Sequence, residues 1–404
     1  MGLENCQADF PVLERLIDGQ RVTYLDSAAT SLKPRSVIDA MSNFYSQNGV
    51  NIHRGKYYLS EEASDSYERV RYSIAQYLGA YGNEIVFTKG TTESLNLVAY
   101  GLGLQQDDIV VGFLDSHHAQ LLPWRRAANL KLVNLNSDGG IDLDHYHELL
   151  KLKPKVVVLT HCSNVSGNIA PIEEMTIAAK EACDAIVVVD AAQSMPHPHL
   201  RIDVSKIDVD FVAFSAHKML GPTGVGCLYG KSSRLNELRP LMLGGGMVDW
   251  VDTEGSQERK IPHRFEAGTP AIASTLGFGE AINYLKRFGE KKSLEHTEEL
   301  TEAIIKGAME RDYIQLLGTK STENRCAIGS LRIKNCDDLS DIARSLSDSY
   351  GIMCRTGHMC AQPIVDEQMG DEVLRISAYI YNTTEEIERF YQSLDELVSF
   401  LGLV

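Results

Sequence analysis

The sequence predicts an α/β fold: a large domain with a mostly parallel mixed sheet flanked by helices, plus a smaller α+β C-terminal domain. Three observations carry this reading. Between about residues 84 and 230, short β-branched runs alternate with segments whose apolar residues recur three and four apart. The runs are apolar on both faces, which a sheet with one wet face would not allow. After Gly268 that rhythm stops and long amphipathic helices take over.

Taken in order, the strands are expected at EIVFT (84–88), DIVVGFL (108–114), KLVNLN (131–136), KVVVLTH (155–161), AIVVVD (185–190), DFVAFS (210–215) and VGCLYG (225–230). TTESLNLVAYGLG and EEMTIAAKEACDA are expected helices between them. Further on come helices over about 273–287 and 293–310, a strand at RCAIGSLRI, a helix at DDLSDIARSLSDSYG, and a closing helix from Thr384 to about Leu401. The expected division is a large domain of residues 22–284 and a small domain of residues 1–21 and 285–404, since the first twenty residues are too short to fold alone. With no repeat, low-complexity tract or Pro-rich linker at the join, a continuous helix is expected there.

Composition removes several classes. The 404 residues carry 39 basic and 55 acidic side chains, a net charge of −16, with no basic stripe. Nucleic acid and anionic membrane are therefore poor partners. No apolar run approaches the ~18 to 20 residues that span a bilayer. Glu4 and Asp9 stand where a secretory signal would be basic and then apolar, so a cytoplasmic protein is expected. The eight cysteines form no C-x-x-C pair and no zinc-finger spacing, so no metal site is expected and most of the thiols should be buried small hydrophobes.

The chemistry begins where strand DFVAFS ends in Ser215-Ala216-His217-Lys218, followed by a glycine-rich loop. Open α/β sheets keep their ligands at that end of the strands. An isolated lysine there would be read as solvated, but VVVD delivers Asp190 to the end of another strand, with Gln193 three residues on. Pyridoxal phosphate chemistry asks for such a set: an amine for a Schiff base, an anion for the pyridine nitrogen, and donors for the phosphate. Gly90-Thr91-Thr92, between a strand and a helix, offers backbone N–H groups and two hydroxyls to an anion; Ser215 and His217 are further phosphate candidates. Alone, such a strand–GTT–helix junction is a helix cap.

With these residues in view the chain resembles the class V, fold type I pyridoxal phosphate enzymes, and within them the group II cysteine desulfurases, which include selenocysteine lyases and cysteine sulfinate desulfinases. The likeness runs from DFPVL through YLDSAATSLKP, NIHRGKYYLS, GTTESLNLVA, HHAQLLPW, THCSNVSG, DAAQ, SAHKMLGPTGVG, RFEAGTP and RTGHMCAQP to RISAYIYNT. The resemblance implies that Lys218 holds pyridoxal 5'-phosphate, Asp190 pairs with its pyridine nitrogen and Gln193 touches its phenolic oxygen. His117 would stack on the ring and help move protons, while His118 keeps a structural reading. Asn164 would lie near substrate and cofactor. Thr269 is carried over as a phosphate donor crossing from a partner subunit, which implies a homodimer.

Arg355-Thr356-Gly357-His358-Met359-Cys360-Ala361-Gln362-Pro363 separates a desulfurase from a transaminase. A cysteine in a Gly- and Pro-bounded loop can be an exposed nucleophile; Cys354 reads as the packed end of a strand. The implied reaction converts L-cysteine to L-alanine and leaves a persulfide on Cys360 for an acceptor protein or small thiol. Arg375, in LRIS, would clamp the substrate carboxylate through two parallel hydrogen bonds, with Arg355 as a second candidate. The chain departs from the family pattern at Met359, where a histidine is usual, at Gln120 in HHAQ, and at Ala216 in SAHK. Gly244-Gly245-Gly246 matches a glycine-rich loop near the partner's site. Two other readings stay open from the residues: a selenocysteine or sulfinate lyase that needs no thiol, and a non-catalytic scaffold that keeps the fold.

Overall fold

A computed structural model describes residues 3–403; Met1, Gly2 and Val404, the outermost residues of the expected small domain, lie outside it. The chain opens with β1 (Leu16–Ile17), β2 (Gln20–Arg21) and β3 (Thr23–Tyr24), then helices α1 (Arg35–Gln47) and α2 (Tyr58–Leu78). The expected alternation follows as β4 (Ile85–Thr88), α3 (Thr91–Gly101), β5 (Ile109–Phe113), α4 (His118–Ala127), β6 (Asn129–Val133), α5 (Leu143–Leu150), β7 (Val156–Thr160) and α6 (Ile172–Cys183). It continues with β8 (Ile186–Asp190), β9 (Phe211–Ser215), β10 (Gly226–Gly230) and α7 (Ser232–Glu237). Strand β6 lies closer to the N-terminus than KLVNLN suggested. Its parallel register with β5, from Ile109 opposite Asn129 to Phe113 opposite Val133, fixes it there.

These strands form one seven-stranded sheet in the order β4-β10-β9-β8-β7-β5-β6. Strands β9, β8, β7, β5 and β6 run parallel, and β10 lies antiparallel between β4 and β9. Every residue of β4, β7, β9 and β10 is buried, as a sheet covered on both faces requires. The topology brings the ends of β4, β8 and β9 to one edge.

A hairpin of β11 (Val248–Val251) and β12 (Ser256–Glu258) leads to α8 (Ile272–Lys286) and α9 (Gly289–Met309). Helix α8 runs unbroken through residues 284 and 285, where the join was expected, and ends before Gly289, whose φ of +72° is left-handed and separates it from α9. Beyond it come β13 (Ile314–Leu316), β14 (Ile328–Ile333), α10 (Leu339–Tyr350), β15 (Ile352–Met353), β16 (Arg355–Gly357), α11 (Gln362–Met369), β17 (Val373–Ser377) and α12 (Thr384–Phe400). An antiparallel sheet of order β13-β14-β17-β16 packs on a core that includes Leu300, Ile304, Leu346, Phe390 and Leu394.

The N-terminal segment ties the two parts together. Phe10 is buried edge-on against Tyr284 and Tyr381, and the Cys6 thiol donates to the Ile380 carbonyl. β3 pairs in parallel with β15, which fixes the residues after it above the second sheet. Five of the eight cysteines are buried, Cys183 and Cys354 are half-buried, and Cys360 is exposed. Burial pushes the Cys354 thiol up to about 12, in keeping with a packed strand end.

Candidate active site

The carboxyl ends of the strands enclose a cavity of about 260 Å³. Thr91, Thr92, His117, Asn164, Asp190, Gln193, Ser215, His217, Lys218, Arg355, Cys360 and Arg375 all line it. Thus every candidate catalytic, cofactor-binding or substrate-binding residue named from the sequence reaches one cavity except Thr269. That threonine lies in a different recess with Gly245, Gly246, His53 and Arg54.

Each group is delivered by a local rule. Lys218 follows the end of β9 in a single 3-10 turn, Ala216–Lys218, so its amine is aimed across the strand ends. Its Nζ has no hydrogen bond or ion pair to protein among the described residues. Burial draws the amine down to about 8, against the opposing pull of the Asp190 charge. Asp190 ends β8, 5% exposed, and among the described residues its Oδ1 accepts only from the Ala192 N–H at 2.9 Å. Burial raises its carboxyl above the ordinary range, so a cation in the cavity is what would hold it ionised.

The anion end is built by close backbone approach. Gly90 has φ +154°, and a Cβ on Gly226 would come within 2.5 Å of the Gly90 Cα, so neither position accepts a side chain. This contact presses the start of α3 against β9, where Ser215 Oγ accepts from the Thr91 N–H and pairs with its hydroxyl, both at 2.8 Å. The next N–H groups of the helix have no helical acceptor. An unpartnered amine, a buried carboxylate with a single donor and open helix N–H groups in one cavity fit pyridoxal phosphate. Gln193 also lines the cavity, fixed by donation from its Nε2 to the Ala28 carbonyl at 2.7 Å.

His117 caps α4: its Nδ1 accepts from the Ala119 N–H at 3.0 Å. Burial lowers this imidazole to about 4, so the ring is neutral near pH 7 and carries its proton on Nε2. His118 has the structural role expected of it. Its backbone N–H donates to the Cys360 carbonyl at 2.7 Å, and its Nε2 accepts from the Gln362 N–H at 3.4 Å. Gln120 is fully buried and its Nε2 donates to the Leu159 carbonyl at 3.1 Å, a packing role behind the sheet.

The Cys360 loop is the strained part of the site. Met359 and Cys360 have consecutive positive φ values of 52° and 54°, which cost L-residues roughly 1–2 kcal/mol each. Three contacts hold the strain in place. Asn164 Nδ2 donates to the Met359 carbonyl at 2.8 Å, His118 holds Cys360, and the Ala361 N–H donates to the His358 carbonyl at 2.8 Å. The Met359 side chain is buried with Val165, Leu317, Ile364 and Val365. Methionine here is an apolar anchor that leaves the thiol outside, a role a histidine would fill poorly.

One side chain that contacts two of the site's residues went unassigned in the sequence. Asp26, in YLDSAATS, accepts from Arg375 Nη2 at 3.0 Å and from Arg355 Nε and Nη2 at 3.1 and 2.9 Å. Its sole signal was a carboxylate in a segment otherwise rich in small residues. Arg375 is 2% exposed, and its Nη1 donates to the Asn164 carbonyl at 2.9 Å.

One buried imidazole, His161, and three half-buried ones, His117, His199 and His217, give the protein an acid-sensitive stability. Burial lowers His117, His161 and His217 to about 4 and His199 to about 3, while an unfolded histidine titrates near 6.5. The stabilisation is complete above about pH 6.5 and is lost as pH falls toward 4, because the unfolded chain then binds protons that the fold refuses. Each group contributes up to about 1.4 kcal/mol per pH unit in that window. The melting temperature is expected to drop steeply from pH 7 to pH 5; a flat profile would contradict the assignment of neutral rings.

The chain belongs to the aminotransferase class-V family, whose match spans residues 23–390. The particular relatives are narrower. A protein of Haloferax volcanii named cysteine desulfurase is 38% identical, over 96% of this chain and 95% of its own. One of Streptomyces coelicolor named "Probable cysteine desulfurase" is also 38% identical, over 99% and 98%. The solved apo structure of a cysteine desulfurase from Thermococcus onnurineus NA1 superposes with a TM-score of 0.91 at 35% identity, covering 98% of each chain. The cysteine desulfurase CsdA of Escherichia coli, in an S-sulfonic acid form, gives 0.89 at 32% identity and full coverage of both chains. The α/β architecture is that of fold type I.

Proposed function

We propose that the protein is a pyridoxal phosphate-dependent cysteine desulfurase that converts L-cysteine to L-alanine and carries the sulfur away as a persulfide on Cys360. One observation supports this above the rest: the Lys218 amine and the exposed Cys360 thiol line the same small cavity. A transaminase has no use for the second group.

Bound pyridoxal phosphate supplies an imine linkage to amines and a sink for electrons released at the α-carbon. The chain's own groups do the remainder. Lys218 holds the cofactor, and its amine, depressed by burial, is suited to take and return the α-proton. Asp190 would supply a negative charge for the pyridine nitrogen, and Thr91, Thr92, Ser215 and His217 would supply donors for the phosphate. Gln193 and Asn164 orient the ring oxygen and the substrate. The neutral His117 ring offers a stacking face and an Nε2 proton. Arg375, with Arg355 beside it, binds the substrate carboxylate.

Cys360 then forms the S–S bond. The substrate's C–S bond breaks, its carbon takes a proton, and L-cysteine plus the thiol become L-alanine plus Cys360 persulfide, with no external oxidant or reductant. The sulfur next passes to an acceptor protein or small thiol. In this reading residues 22–284 form the cofactor-binding domain and residues 1–21 with 285–404 the domain carrying the thiol. The protein works in the cytoplasm as a homodimer, in which Thr269 completes the partner's phosphate site. The test is a mass spectrum of the intact protein after exposure to L-cysteine: one added sulfur mapping to Cys360 is expected, together with released alanine. Alanine or sulfide release with no sulfur ever trapped on Cys360 would count against it.

A further inference from the structure

We propose that Asp26 is a positioning residue for carboxylate recognition: it aims Arg375 at the substrate and tethers the strand that begins the Cys360 loop. The inference rests on the reading of Arg375 given under Proposed function. It starts from a count of protons on that guanidinium, which has five N–H groups. The Nε is buried and has no partner among the described residues. One proton of Nη1 goes to the Asn164 carbonyl and one of Nη2 to Asp26 Oδ1. One N–H then remains on each terminal nitrogen, the number a carboxylate takes in a bidentate pair. Asn164 and Asp26 thus grip the fork from its two sides and leave its front open to the cavity.

Asp26 also solves a repulsion. Arg355 and Arg375 lie directly opposite each other on β16 and β17, so two guanidiniums are forced together. Burial lowers the Arg375 pKa, and the Asp26 carboxylate is the main opposing influence. With Arg355 held through both Nε and Nη2, the same carboxylate fixes the first residue of the strand that leads to Cys360 five residues later. The backbone at Asp26 is anchored separately, through its bridge to Ser377 and the Ser27 N–H donating to the Ser377 carbonyl. A change of side chain can therefore alter the carboxylate without releasing the chain.

The test compares two ligands that differ in one group, titrated into cofactor-loaded protein and followed by visible absorption: L-alanine, which has a carboxylate, and ethylamine, which lacks one. Asp26→Asn is expected to weaken L-alanine about tenfold and to leave ethylamine unchanged. The KM for L-cysteine should rise with it, with kcat changed by less than about threefold. Where the Asn variant is not recovered folded, Asp26→Glu, which keeps the charge on a longer arm, is expected to weaken L-alanine severalfold with ethylamine again unchanged. Equal loss for both ligands, or loss for neither, would overturn the assignment. Wild-type protein that yields no alanine from L-cysteine would instead sink the proposed function, so the two failures are told apart.

Discussion

Cys360→Ser is expected to fold, to hold its cofactor and to bind L-cysteine, yet to gain no sulfur and to release alanine at least about a hundredfold more slowly. The fold should be indifferent because the loop is held by backbone carbonyls, buried Met359 and Asn164, none of which uses the sulfur atom. Stability should stay within about 0.5 kcal/mol of the parent, as for an exposed substitution away from packing. The chemistry should not be indifferent, since a hydroxyl is a poor nucleophile toward sulfur and the other thiols at this side of the molecule are packed: Cys162 is 3% exposed and Cys354 is half-buried. Alanine formation and the intact mass after L-cysteine are the measurements. Undiminished sulfide release by the variant would remove Cys360 from the mechanism and favour a lyase that expels the leaving group unaided.

Lys218→Ala should have the larger effect of the two, lowering alanine release by about a thousandfold or more. It removes both the covalent anchor and the amine that handles the α-proton. Borohydride reduction of the loaded parent should fix the cofactor mass on the peptide containing Lys218; the variant should retain none after denaturing gel filtration. Cofactor still fixed covalently in the variant would mean that another amine does this work. Lys33 is the candidate such a result would indicate, because burial also draws it down to about 8. Its Nζ, however, is spent on Thr30 and on the His217 carbonyl.

Much of this site was legible in the sequence because its residues stand at strand ends. Apolar runs of four or five residues mark where β8 and β9 stop, and the polar groups that follow, Asp190 and the Ser215–Lys218 turn, fall at one edge of a sheet by topology alone. What stayed hidden depends on contacts between distant segments. Asp26 carries no periodic signal, and its role appears only when the residues after β3 are laid beside β17. Met359 stood out only as a methionine where a histidine is usual; its burial against Val165 and Ile364 shows a packing role that a single position in a loop cannot announce.

The antiparallel β10 has a bearing on how the molecule is made. It lies between β4 and β9, so Gly226 must settle against Gly90, 136 positions earlier in the chain, before the pocket's anion end exists. Contacts of such long sequence separation form late and slowly. A growing chain released from the ribosome up to residue 215 would own the lysine's strand and the helix start, yet lack the wedge that holds them in register. Loading with a phosphorylated cofactor should therefore await synthesis past Gly230 and the docking of α8, whose Phe278 and Ile282 complete the same core.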